Sequence, residues 1–196
     1  MRSIIKPICL FLLGSLPVQA SWNLDSEISR LTFISIKATH IAELHSFEEI
    51  TGNIDDQGNI SIIIKLDSVD TGIEIRDNRM RSLLFKTDKY KDAMVSGLVD
   101  IDFLDALIVG KTIEQELEFV LLLNGQEQSL SAPMMITLVE ESVLLVTSVS
   151  PILINAMQFA LADGVEALRE VAGLPNISLS VPVNFFLKFD FLDNAH

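Results

Sequence analysis

The chain has 196 residues and a formal net charge of −13, from 14 Lys and Arg against 27 Asp and Glu. Such a surface repels phosphate backbones and anionic bilayers, which argues against nucleic acid as a partner and against tight membrane adsorption. With 49% hydrophobic residues it still has ample material for one sizeable core.

The first predicted element is an export signal, Met1–Ala20. Arg2 and Lys6 make a short basic start, Ile8–Leu16 is an apolar run, and Val18-Gln19-Ala20 ends it with small residues where a signal peptidase reads. The run is too short for a spanning helix, which needs about 20 residues, and Pro17 breaks it, so no stable membrane anchor is expected. Cleavage after Ala20 leaves one domain over residues 21–196. It also removes Cys9, the only cysteine, so the mature chain has no disulfide and no Cys ligand or nucleophile.

Beyond the signal the recurring pattern is period-two alternation, the mark of half-buried strands. Leu31–Lys37 is apolar on nearly both faces. Ile60–Asp67 places Ile60, Ile62, Ile64 and Leu66 on one face. Val95–Phe103 places Val95, Val99, Ile101 and Phe103 opposite Ser96, Asp100 and Asp102. Ile113–Leu123, Gln128–Val139 and Ile177–Phe189 repeat the alternation, and Val143–Ser150 is apolar on both faces. Asp55–Asn59, Asn124-Gly125 and Glu140-Glu141-Ser142 read as the reversals between them.

Two stretches break the pattern. Arg76–Phe85 reads as a short helix or an ordered loop. Val165–Ala172 reads as a helix, with a capping box from Asp163 and Glu166, an apolar face at Val165, Leu168 and Val171/Ala172, and a stop at Gly173 and Pro175. The expected fold is therefore all-β: an antiparallel, lipocalin-like barrel of eight strands with one or two short helices. A closed barrel removes exposed edges; a two-sheet sandwich is the alternative.

Chemistry-bearing constellations are sparse. His40, Glu43 and His45 match neither a helix face nor a strand face, fall short of a metal site, and read as polar residues in a loop. No Gly-x-Ser-x-Gly elbow or Gly-rich phosphate loop is present. No catalytic residue, metal or cofactor is expected, and the chain does not read as an enzyme. Ser68–Phe85 is the dense segment. Arg76, Arg79 or Arg81 could grip a polar head group there, with Met80, Leu83 and Phe85 at a barrel mouth. The alternative is a structural corner, with the arginines paired to Asp70 and Asp77.

Ser68-Val69-Asp70-Thr71-Gly72, followed by Arg76-Asp77-Asn78-Arg79-Met80-Arg81-Ser82 and Leu84-Phe85, resembles the signature of the YceI-like family of lipocalin-like barrels. Lys37, His40, Phe47 and Gly52 lie where that family passes from its first long strand into the second. Ile152–Asn155, Ala160–Gly173 and Pro175–Phe189 resemble its late helix and closing strand. Two positions depart: Ile28-Ser29 replaces an early His-Ser pair, and Tyr90-Lys91 replaces Tyr-Pro. The resemblance implies a periplasmic barrel enclosing a long amphiphile, a polyisoprenoid in known members, some with quinone-like heads.

On that reading the lining residues are Phe33, Ile62, Ile64, Ile101, Phe103, Phe119, Leu121, Val183 and Phe185, with Leu83 and Phe85 at the mouth. The expected partner is a hydrophobic small molecule such as an isoprenoid-like lipid; homodimerisation stays open. The alternative is an envelope interaction protein whose barrel is filled by its own side chains.

Overall fold

Alternating apolar residues bend the chain into strands whose inner faces meet in a single interior. The computed structural model describes residues 21–192, so the expected signal at Met1–Ala20 lies outside the described residues. In chain order the strands are β1 (Ser21–Leu24), β2 (Arg30–Lys37), β3 (Ile41–Phe47), β4 (Ile50–Ile54), β5 (Asn59–Lys65), β6 (Val69–Asp70), β7 (Asp92–Leu98), β8 (Thr112–Leu123), β9 (Gln126–Glu140), β10 (Val143–Ser148), β11 (Ile152–Asn155) and β12 (Ser180–Leu192). The helices are α1 (Glu74–Arg79), α2 (Ile101–Asp105) and α3 (Ala162–Val171).

These twelve strands make eight staves, because four staves are broken by a kink. β1 and β2 run along one edge of β12, at Phe189–Leu192 and Val183–Phe186. β4 and β3 continue beside them, then β5 and β6. β7, β8 and β9 follow, and β10 with β11 lies along the other edge of β12. All pairings are antiparallel and the ring closes on itself, so the expected eight-stranded barrel is the fold.

Two of the four kinks are set by a polar side chain. Asp25 breaks the first stave: its carboxylate accepts from the backbone N–H groups of Glu27 and Ile28 and from Lys188 Nζ at 2.8 Å. Ser68 ends β5, its hydroxyl donating to Lys65 O and accepting from Glu49 N. The Asn124-Gly125 reversal has both residues at positive φ, 51° and 75°, as a two-residue hairpin turn requires.

Two expectations fail. Val95–Phe103 is not one strand. β7 ends at Leu98, because the Asp100 carboxylate accepts from Asp102 N at 3.0 Å and starts α2. The acidic residues that looked like an outward strand face are a helix cap. The capping box at Asp163 and Glu166 does not form either: α3 begins at Ala162 after Leu161, and Glu166 is taken by Arg169 at 2.6 Å. Of its expected apolar face Val165 is buried and Leu168 half-buried, while Val171 and Ala172 face solvent.

α1, the turn that follows it and α3 gather over one end of the barrel, while α2 lies at the other end beside the Gly58 turn. α1 runs into a π-helical turn, Met80–Phe85, that lies against α3. The approach is so close that a Cβ on Gly164 would stand 2.8 Å from Leu83 O and Leu84 Cα. Asn124 ties the β8–β9 turn to the same end, its amide donating to the carbonyls of Phe159 and Ala160.

Candidate functional site

Inward residues of the staves leave a cavity of ≈ 240 Å³. Its wall carries Phe33 from β2, Ile62 and Ile64 from β5, Phe119 and Leu121 from β8, and Val183, Phe185, Leu187 and Phe189 from β12. Leu84 and Phe85 of the π-helical turn, with Ala156, Leu161 and Val165, form the wall on the helical side. Among the described residues, Glu118 is the only charged one on it. An apolar void of about 150 Å³ stays dry and takes up small hydrophobic molecules, so a larger one with this wall suits an apolar chain. The barrel is therefore not filled by its own side chains, which the interaction-protein reading required.

Of the lining residues expected from sequence, Phe33, Ile62, Ile64, Phe85, Phe119, Leu121, Val183 and Phe185 lie on this wall. Ile101 and Phe103 do not. They belong to α2, outside the alternation of any stave, and pack half-buried against the core. Leu83 is also off the wall: the π-helical turn aims its neighbour Leu84 inward instead.

Along β2 and β3 the inner face changes from apolar to polar. The register pairs Leu31 with Phe47, Phe33 with His45, and Ser35 with Glu43. Leu31, Phe33 and Phe47 line the cavity, so alternation turns His45, Ser35 and Glu43 to the same side. The Phe33 ring lies 5.1 Å from the His45 ring and 5.3 Å from that of Phe47. His45 is 3% exposed. This corrects the loop expectation: His45 is a buried strand residue, whereas His40 sits exposed in the preceding turn. Among the described residues no three His, Cys, Asp or Glu side chains are grouped to hold a metal ion.

α1 lowers Arg76 onto this polar end. Its Nη1 and Lys37 Nζ both reach Glu43 Oε2 at 2.7 Å, and its Nη2 donates to Thr71 O. The bond from Lys37, reinforced by Arg76, holds the Glu43 carboxyl below its ordinary pKa. Burial, helped by the Arg76 charge, pushes His45 down, so its imidazole is neutral at pH 7. Its Nε2 lies 2.8 Å from Ser35 Oγ. Asp77, buried, accepts from the backbone and hydroxyl of Thr71.

The arginines therefore do not pair with Asp70 and Asp77 as the corner reading expected. Asp77 is filled by Thr71, and Asp70 accepts from Gly72 N. Of the three candidate head-group arginines only Arg76 reaches the polar end. Arg81 donates to the carbonyls of Asp67 and Val69 and braces the kink after β5. Arg79 ends α1, half-buried. Sequence reasoning singled out Glu43 and His45 but placed them in a loop, and gave Ser35 and Lys37 no role at the site. The available signal was the alternation Leu31, Phe33, Ser35, Lys37, hidden by Ile34 and Ile36 on the other face.

No curated protein sequence matches the chain. Among solved structures, a polyisoprenoid binding domain from Saccharophagus degradans, implicated in plant cell wall breakdown, is similar at 36% identity and TM-score 0.85, over 86% of this chain and 97% of that one. BcnA from Burkholderia cenocepacia, at 14% identity and TM-score 0.66 over 84% of this chain and 98% of its own, shares the fold. The model of the YceI-like domain matches residues 22–189, and the chain belongs to the YceI-like family.

Proposed function

We propose that the protein is a non-enzymatic carrier of a long amphiphile, an isoprenoid-like lipid held in the barrel interior with its polar head toward Arg76. The observation that carries this reading is the ≈ 240 Å³ cavity with its apolar wall. Similarity to a domain described as polyisoprenoid binding, over most of both chains, supports the ligand class. Burying roughly 500 Å² of prenyl chain would yield on the order of 12 kcal/mol gross at about 25 cal/mol/Å², and immobilisation removes a large part of it. What remains suffices for useful affinity. Export to the periplasm, supported by the sequence of Met1–Ala20, would set this acidic shell between two membranes.

Mass spectrometry of an organic extract from gently purified protein tests the reading. A prenyl lipid in near-stoichiometric amount is expected. Protein that yields no lipid, and takes up no prenyl probe after purification, contradicts it.

A further inference from the structure

β7 and β8 separate partway along the barrel wall. They pair only at Met94–Gly97 with Phe119–Leu122, and β7 turns off after Leu98 toward α2. β8 runs on, so its residues Thr112–Glu118 have β9 on one side and, among the described residues, no strand on the other.

The hairpin fixes which backbone groups face that open side. Leu123 and Gln126 flank the two-residue Asn124-Gly125 turn, and such flanking residues exchange both of their backbone hydrogen bonds. Bonded pairs alternate, and the β8–β9 register runs without a bulge. Ile113, Gln115 and Leu117 therefore bond to β9, while Glu114, Glu116 and Glu118 aim N–H and C=O at the open side. Two contacts agree. Glu118 O faces β7, 3.2 Å from where a Cβ on Gly97 would stand, and Glu116 O accepts from the Gln115 side-chain amide at 3.1 Å. Gln115 shares the inner face with Ile113 and Leu117 and is nonetheless exposed, so α2 does not cover this edge.

Charge decides what the edge accepts. The side chains of the same three glutamates point outward and are exposed. Glu116 accepts from the Ser131 hydroxyl, and among the described residues none of the three is in an ion pair. α2 adds Asp100, Asp102 and Asp105, also on or beside it and exposed, and Lys111 is the only cation between Val99 and Glu118. A second copy of the chain does not fit. Pairing sets outward residues opposite outward residues, so any antiparallel self-pairing of this edge puts glutamate against glutamate, which is destabilising.

We propose that Thr112–Glu118 is a docking edge for an extended basic segment of another protein. The segment adds to β8 as a strand along the line that β7 leaves, with Lys or Arg at alternate positions opposite Glu114, Glu116 and Glu118. At the fork, a groove of ≈ 280 Å³ beside Leu98, Glu118 and Val120 has room for a side chain at the end of the added strand. The inference stands apart from the carrier reading, because the edge and its glutamates belong to the outside of the wall.

Titration with short peptides, followed by residue-resolved amide exchange, tests it. The first peptide alternates Lys with Val. The second is the same peptide N-methylated on the amides that would pair, and the third has the same composition with its lysines in one block. The alternating peptide is expected to bind and to slow exchange at the Glu114 and Glu116 amides, leaving those of Ile113 and Gln115, already bonded to β9, as they were. Glu116→Lys should weaken it about tenfold, since one attraction becomes a repulsion, and added salt should weaken it too. The other two peptides should bind far more weakly. Equal binding of all three, or binding without new protection at Glu114 and Glu116, overturns strand addition and leaves only attraction between charges. Absence of binding overturns it outright, as does a dimer of the peptide-free protein with those two amides protected. The comparison of peptides on the unaltered protein decides even where the variant fails to fold.

Discussion

Burial and the Arg76 charge hold His45 neutral in the folded barrel. The unfolded chain takes up a proton on this residue near pH 6.5, the folded chain only at lower pH. Between those values the unfolded state binds more protons, so the stability linked to His45 is complete above about pH 6.5 and is lost as pH falls toward the folded value. The urea midpoint should therefore drop from about pH 7.5 to about pH 5.5. His45→Phe should flatten that drop; an equally steep drop in the variant would rule His45 out as its source. Glu43 titrates below this window, since Lys37 and Arg76 lower its pKa, and its contribution is present above about 4.5 and lost in more acid solution. Glu43→Gln leaves Lys37 and Arg76 without their shared partner. It should cost about 1–3 kcal/mol in denaturant unfolding at neutral pH; a neutral result would mean the cluster does not need its charge.

At the scale of elements, the helical cap depends on close approach. Ala is the better helix former by about 1 kcal/mol, yet Gly164→Ala should destabilise by roughly 1–3 kcal/mol, because its Cβ would collide with backbone atoms at Leu83 and Leu84. Calorimetry that shows a gain in Tm would mean α3 can slide off the π-helical turn at no cost. Asn124→Ala should also destabilise, by about 1–3 kcal/mol, since it loses two bonds to the Phe159 and Ala160 carbonyls and leaves a side chain other than Asn at φ 51°. Unchanged stability would remove Asn124 as the tie between turn and cap.

Legibility in the sequence followed how cleanly each element separates its two faces. The last strand, expected at Ile177–Phe189 and observed at Ser180–Leu192, and the Asn124-Gly125 turn were plain, because alternation and turn chemistry agree there. Ile101 and Phe103 misled because Asp100 and Asp102 fit a strand's wet face as well as a helix cap. β3 was hidden because its inner face is polar at Glu43 and His45 while Leu44 stands exposed outside, the reverse of the usual pattern. β4 was missed because Thr51-Gly52-Asn53 reads as a turn, although Gly52 is needed where a Cβ would come within 2.6 Å of Ser61 O. The apolar half of the candidate site was thus open to sequence reasoning, whereas of the polar half Arg76 alone was named for its role and Glu43 and His45 were placed in a loop.

For the whole molecule, the closed ring of staves lets the interior stay partly empty. Filling that space should separate fold from function. Leu121→Trp places a larger ring on the cavity wall and should abolish uptake of a prenyl probe while circular dichroism keeps its β signature; undiminished uptake would place the ligand elsewhere. The most direct measurement is a crystal structure of the protein soaked with farnesylacetone. The account predicts chain density inside the barrel between Phe33, Phe119 and Phe185. A soaked crystal with the interior empty and the ligand bound only on the outer surface would contradict it.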